Sequence, residues 1–261
     1  MPHDFKKVAI DTCLKAGELL KKNLGKVNKI KYKGEINLVT EMDHKSEDLI
    51  IKSLTEIFPH HSILSEEREI IERSSPYKWI VDPLDGTTNF AHSLPIFCVT
   101  VALEYEGEVI LGIIYNPNLD ELFVAERKKG AFLNNKKISV SPTEKLSASL
   151  LATGFPYDIR TNKNNNLNHF ANFAVRAQAV RRAGSAALDL AYLACGRFDG
   201  FWEFKLAPWD SAAGVLLVRE AVGKVTDYKG NAVDIYKGEV LASNGKIHPE
   251  MIEVLNLVKE A

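Results

Sequence analysis

Residues 79–90 read WIVDPLDGTTNF, and this string decides how the rest of the chain is read. Trp79–Val81 is a short apolar run of strand type. Two carboxylates follow, Asp82 and Asp85, three positions apart, with Pro83 restricting the backbone between them. A tight turn there would aim both acids inward and present the Leu84 carbonyl as a third oxygen ligand. Gly86, Thr87 and Thr88 come next; if a helix or turn starts here, their N–H groups form a nest for an anion. Metal-type ligands and a phosphate cradle are thus adjacent in sequence, an adjacency that phosphoryl transfer needs.

Working outward, the same design of an apolar run ending in acids occurs twice more. ILSEER (63–68) carries Glu66 and Glu67, and APWDSAAG (207–214) carries Asp210. A further acid, Asp43 in NLVTEMD (37–43), opens a helical pattern. Carboxylates gathered in a cleft raise each other's pKa, and a hard divalent cation removes that penalty. Oxygen ligands without His or Cys favour magnesium, manganese or calcium over zinc. Taken singly, each fragment has a plainer reading. Asp-Gly is a common hairpin turn, paired glutamates sit in solvated loops, and Asp43 and Asp210 suit helix caps. Turn formation does not ask for the whole string DPLDGTTNF.

The 261 residues suffice for one large domain or two closely packed halves. Lys plus Arg number 33 against 34 Asp plus Glu, so no net field draws nucleic acid or anionic membrane to the chain. Cys13, Cys98 and Cys195 are widely spaced and form no CxxC pair, which fits a disulfide-free cytoplasmic protein. The first residues carry charges throughout, without a signal-type apolar run, and no stretch has the length of a membrane helix. A soluble protein is expected.

Periodicity predicts a first helix through Phe5–Leu20 with Asp4 as N-cap, and a second over about 43–58. Ser62–Ser65 and Trp79–Val81 read as buried strands. Residues 96–140 alternate as a meander broken by Glu-Gly, Asn-Pro-Asn and Asn-Asn turns. Leu150–Ala152, GFWEF (200–204) and Glu239–Ala242 are further strand candidates. Helices are expected at about 167–177, 185–194, 211–221 and 249–261, with TNKNNNLN (161–168) as a surface loop. The class is mixed α/β, built in layers, with a possible joint near residues 141–147 dividing approximate halves 1–145 and 146–261. His60, His61 and His92 lack metal-ligand spacing and read as surface or structural.

WIVDPLDGTTNF and APWDSAAGVLLVREAVG (207–223) resemble the two signatures of the inositol monophosphatase family. LVTEMD (38–43), ILSEE (63–67) and GSAALDLAYLACGRFDGFWE (184–203) resemble its intervening elements, in the same order, from Leu38 to Gly223. The resemblance implies a layered αβαβα sandwich shared with sugar bisphosphatases, and a lithium-sensitive magnesium phosphatase in which water attacks phosphorus directly. It would place a first ion on Glu66, Asp82 and the Leu84 carbonyl. A second would lie on Asp82, Asp85 and Asp210, and a weaker third on Glu66 with water-mediated help from Asp43. Thr87, oriented by Asp43, would help activate water, while Gly86 and Thr87 N–H groups meet the phosphate. Glu203 and the Gly184-Ser185-Ala186 turn would face the alcohol, although Glu203 also reads as the solvent-facing residue of a strand. Arg181 and Arg182 suit either a second phosphate or a subunit contact, and Lys33 receives no firm role. A homodimer acting on a small phosphorylated polyol or sugar is implied. Fructose 1,6-bisphosphate is the rival substrate, and binding to the transcription machinery is a possible added role.

Overall fold

The computed structural model describes residues 4–26, 30–32 and 38–257. Lys33 and residues 258–261 lie outside the described residues. Two sheets set the frame. The first has seven strands in sequence order: β3 (Ser62–Ser65), β4 (Tyr77–Asp85), β5 (Cys98–Tyr105), β6 (Glu108–Asn116), β7 (Glu121–Glu126), β8 (Gly130–Leu133) and β9 (Lys136–Lys137). Only the β3–β4 pair is parallel; the others form the expected antiparallel meander. The second sheet has the order β11-β10-β12-β14-β13, from β10 (Leu150–Thr153), β11 (Ala179–Arg181), β12 (Gly200–Glu203), β13 (Lys224–Thr226) and β14 (Val240–Ser243). A small antiparallel pair, β1 (Ile30–Tyr32) and β2 (Leu38–Thr40), stands apart from both.

Helices fill the spaces that strand alternation dictates. Trp79, Val81, Val99, Val101 and Leu103 share one core with α1 (Phe5–Asn23) and α2 (Glu41–Ile57) on one face of the large sheet. Ile80, Cys98 and Ala102, of opposite parity, share another with α5 (Ala186–Ala194) and α6 (Pro208–Glu220). That same core continues into Ala152, Phe201 and Val240 of the second sheet. On the far side, α4 (Leu167–Ala174) and α7 (His248–Leu255) close a third core around Trp202 and Phe173, whose rings stack at 4.1 Å. The layers therefore run α, β, α, β, α, as the resemblance implied.

Several boundaries differ from the periodicity reading, each for a local reason. α2 begins at Glu41 because Thr40 is the N-cap: its Oγ1 accepts from the Met42 N–H at 3.1 Å, and Asp43 is an N3 residue reaching back to Thr40. α6 starts at Pro208, not Ser211, since proline is preorganised for the first helical position. α4 ends at Ala174, and Ala179–Arg181 becomes an edge strand beside β10. β13, also unforeseen, pairs with β14. Asn166, in the stretch expected as surface loop, is buried: it donates to the Gly154 carbonyl and accepts from Trp202 Nε1 at 2.8 Å.

His248 is fully buried at the start of α7, its ring nitrogens 2.9 Å from Thr226 Oγ1 and 2.8 Å from Ser243 Oγ. Burial, with help from Lys224, lowers its pKa from 6.5 to about 4. A histidine depressed in the folded state leaves stability intact above its unfolded value and removes it as pH falls toward the folded one. Wild type is expected to lose about 2–3 kcal/mol through this residue between pH 7 and 4. Urea melts of wild type and His248→Gln at both pH values check it; identical acid slopes would refute it.

Candidate active site

Register brings the first two acids together. Asp82 pairs with Thr100 and Asp85 with Cys98, so three steps along β4 match two along β5. In a regular strand residues three apart point to opposite faces; the bulge between them restores a common face, toward α5 and α6. The expected tight turn is thus an irregular end of a strand. Asp82 Oδ1 accepts from the Leu84 N–H at 2.9 Å across Pro83, and Ser46 Oγ holds the Pro83 carbonyl at 2.8 Å.

Three of the acids, Asp85, Asp210 and Asp43, meet the positive end of a helix, a placement that favours negative charge. Asp85 Oδ2 accepts from Ser185 Oγ at 2.6 Å and the Ala187 N–H at 2.8 Å, at the start of α5. Asp210, third residue of α6, accepts from the Ala207 N–H at 2.6 Å. It caps its helix, as the plainer reading held, and it also borders the central cavity. Asp43 Oδ2 accepts from Thr40 N–H and Thr40 Oγ1 at 2.8 and 2.6 Å. Thr87 Oγ1 lies 2.9 Å from Asp43 Oδ1 and 3.0 Å from the Leu84 carbonyl, so its single proton serves one of them at a time.

Electrostatics confirm the gathering. Burial, then the charges of Glu66, Asp85 and Asp210, push Asp82 well above the usual carboxylate range. Asp210 is raised the same way, by burial and then by Asp85 and Glu66. Asp85 is raised by burial but moderated by its Ser185 and Ala187 hydrogen bonds. Burial raises Asp43 against the hydrogen bonds of Thr40 and Thr87. Glu66 follows β3 in a bend, half-buried. Among the described residues no three His, Cys, Asp or Glu side chains close on one point tightly enough to grip an ion as they stand. The charges of Glu66, Asp82, Asp85 and Asp210 nevertheless lie near enough to raise one another's pKa. An all-oxygen set of acids that burial makes costly is the chemistry of a hard divalent cation.

Gly86 turns the chain at φ 96° into α3 (Thr87–Ala91), so the Asp-Gly pair starts a helix and is no hairpin. A Cβ there would sit 2.8 Å from the Ile96 carbonyl oxygen. Asn89 of α3 donates to the Ile96 and Ala183 carbonyls, both at 2.8 Å, tying the Gly184 turn to the Gly86 turn. Between them opens a cavity of about 340 Å³ bordered by Asp85, Gly86, Thr87, Ser185, Glu203 and Asp210, with Gly184 and Ala186 also on its wall. Glu203, half-buried at the end of β12, borders this cavity. Burial and the nearby Asp85 raise its pKa to about 8, against the pull of Arg182. Its carboxylate packs so closely on Gly154 that a Cβ there would meet Oε1 at 2.1 Å.

Arg182 borders the cavity while Arg181 does not. The sequence reading missed Asp189, Tyr157 and Lys205 on the cavity wall. For Asp189 a signal existed: one acid inside the otherwise apolar AALDLAYLA helix. Tyr157 and Lys205 had none, because loops carry no periodicity. His61 stacks between Phe58 and Tyr77, away from the acids, as a structural residue.

Residues 1–260 match the profile of the inositol monophosphatase family. An inositol-1-monophosphatase of Synechocystis is 44% identical over 250 residues, covering 95% of this chain and 87% of that protein. A Nus factor SuhB of Pseudomonas aeruginosa is 40% identical, covering 95% and 94%. Among solved structures, an inositol monophosphatase from Anabaena superposes with TM-score 0.90 at 43% identity, over 98% of this chain and 96% of that one. An IMPase/NADP phosphatase complexed with Mg2+ and phosphate does so with TM-score 0.82 at 26% identity, over 94% and 92%. With the family profile matched over nearly the whole chain and the fold superposing on solved relatives, the chain belongs to the inositol monophosphatase family.

Proposed function

We propose that this chain is a magnesium-dependent phosphoric monoester hydrolase acting on small phosphorylated polyols or sugars, with inositol 1-phosphate as the leading substrate. The observation that carries this reading is the meeting of Asp82, Asp85 and Asp210 beside the Gly86–Thr87 turn, at a cavity that also reaches Glu203. Glu66, Asp82, Asp85, Asp210 and the Leu84 carbonyl would hold two magnesium ions, with manganese as a substitute and Asp43 assisting a third. Such ions, when bound, supply charge neutralisation and a water acidic enough to attack near neutral pH.

The chain's own residues would then do the positioning. Thr87 Oγ1, when it donates to Asp43, keeps its lone pairs for a hydrogen bond from the attacking water. Asp43, held by Thr40, fixes that hydroxyl. The first N–H groups of a helix have no partner within it, so those of Gly86 and Thr87 are available to phosphate oxygens. Glu203 with Gly184, Ser185 and Ala186 would receive the alcohol, alongside Asp85 and Asp210.

Arg182 at the cavity edge favours a second reading, in which a bisphosphate such as fructose 1,6-bisphosphate is accepted. The SuhB-named relative supports an added role at the transcription machinery. We further read the chain as one catalytic domain with approximate halves 1–145 and 146–261, because one core spans both sheets. Cytoplasmic location, lithium sensitivity and a homodimer are parts of the same reading. Among the described residues no helix is long and apolar enough to cross a membrane.

The test is phosphate release from inositol 1-phosphate and fructose 1,6-bisphosphate, with and without magnesium, by wild type and Asp85→Asn. Magnesium-dependent release that collapses in the variant is expected, and the substrate ratio chooses between the two names. Release that survives the substitution would place the chemistry elsewhere.

A further inference from the structure

Asp189 is the single acid of α5, and nothing assigned so far uses it. Its side chain is 1% exposed, yet Oδ1 has no hydrogen-bond partner. Buried carboxyl oxygens are nearly always satisfied, and each exception calls for a cause. Asp189 lies on the wall of the same cavity as Ser185, Arg182 and Glu203. Its place in the first turn of α5 explains tolerance of an acid there, but not an oxygen left without a donor.

We propose that Asp189 is a specificity-determining residue that engages a hydroxyl of the substrate's alcohol portion beside Glu203, so that the site selects polyol monophosphates over esters without hydroxyls. This rests on the phosphatase reading above. Burial, with the charges of Glu203 and Asp85, holds the Asp189 carboxyl well above its ordinary range, opposed by Arg182. The Asp189 and Glu203 carboxyls border one cavity, and either can accept from a substrate hydroxyl. A ligand hydroxyl supplies the hydrogen bond that the protein itself withholds from Oδ1. Leaving that atom unmet is a cost to the free protein, recovered only when the right alcohol binds.

The experiment compares wild type, Asp189→Asn and Asp189→Ala, all with magnesium. Each is assayed on inositol 1-phosphate and on p-nitrophenyl phosphate, and each is melted. The ratio of kcat/KM for inositol 1-phosphate to that for p-nitrophenyl phosphate is expected to fall about tenfold in Asp189→Ala, mainly through KM, the loss expected for one hydrogen bond. Asp189→Asn, which keeps a donor and an acceptor, should stay within about threefold of wild type. Neither variant should melt below wild type, since the removed oxygen was unsatisfied. An unchanged ratio in Asp189→Ala, with both substrates still cleaved, overturns the assignment and leaves the phosphatase reading standing. A large drop in Tm in both variants with equal losses on both substrates makes Asp189 structural and overturns it too. Wild type that cleaves neither ester sinks the phosphatase reading, and the role of Asp189 falls with it.

Discussion

Asp210→Asn, assayed with saturating magnesium, is expected to lose about a thousandfold in kcat while melting no lower than wild type in metal-free buffer. The loss follows from the role proposed for Asp210: metal-ion catalysis is worth several kcal/mol of transition-state stabilisation, and about 4 kcal/mol is a thousandfold in rate. The stability follows from the structure. The carbonyl of Asn can still accept from the Ala207 N–H, so the first turn of α6 keeps its cap. What disappears is a buried carboxyl raised by burial, Asp85 and Glu66. Removing a buried charge that lacks a counterion costs nothing in the free protein. Activity within tenfold of wild type would remove Asp210 from the metal site. A steep fall in Tm would make any loss of activity uninformative about chemistry, and would refute the stability half of the expectation.

The second large effect is Gly86→Ala. At φ 96° an L-residue is strained by about 1–2 kcal/mol. The new methyl would also sit 2.8 Å from the Ile96 carbonyl oxygen and 3.2 Å from the Phe97 Cα, both backbone atoms with little room to yield. Overpacking of this kind costs a further ~1–3 kcal/mol. A destabilisation of about 2–5 kcal/mol is expected, or roughly 5–15 °C in Tm for a chain of this size. Because the same turn starts α3 and presents the Gly86 and Thr87 N–H groups, activity should collapse even at temperatures where the variant is folded. Retention of both Tm and activity would mean that the turn relaxes without consequence, and would withdraw Gly86 from the phosphate site.

Asp85 shows how much of this site was legible in the sequence. Its candidacy as a ligand could be read from DPLDGTTNF alone, but its partners could not. Ser185 and the Ala187 N–H lie one hundred and more positions away, and only the packing of α5 against β4 and β5 delivers them. Asp189 was visible as an anomaly in an apolar helix, but its unmet oxygen was not, since a missing hydrogen bond is a property of surroundings. Asn166 misled because polar composition suggests solvent, whereas its amide fills a buried gap between Trp202 and the chain around Gly154.

By itself the sequence determined the layered α/β class, the meander, most helices and the acids that the fold gathers, because strand alternation, helix periodicity and long signatures are local patterns. Tertiary structure alone decided that Asp82 and Asp85 share a face, since that depends on a bulge in register against β5. It also decided that Glu203 borders the same cavity as Asp85 and Asp210. Direction and proximity arise from pairing between distant segments, and local patterns carry no record of which segments those are.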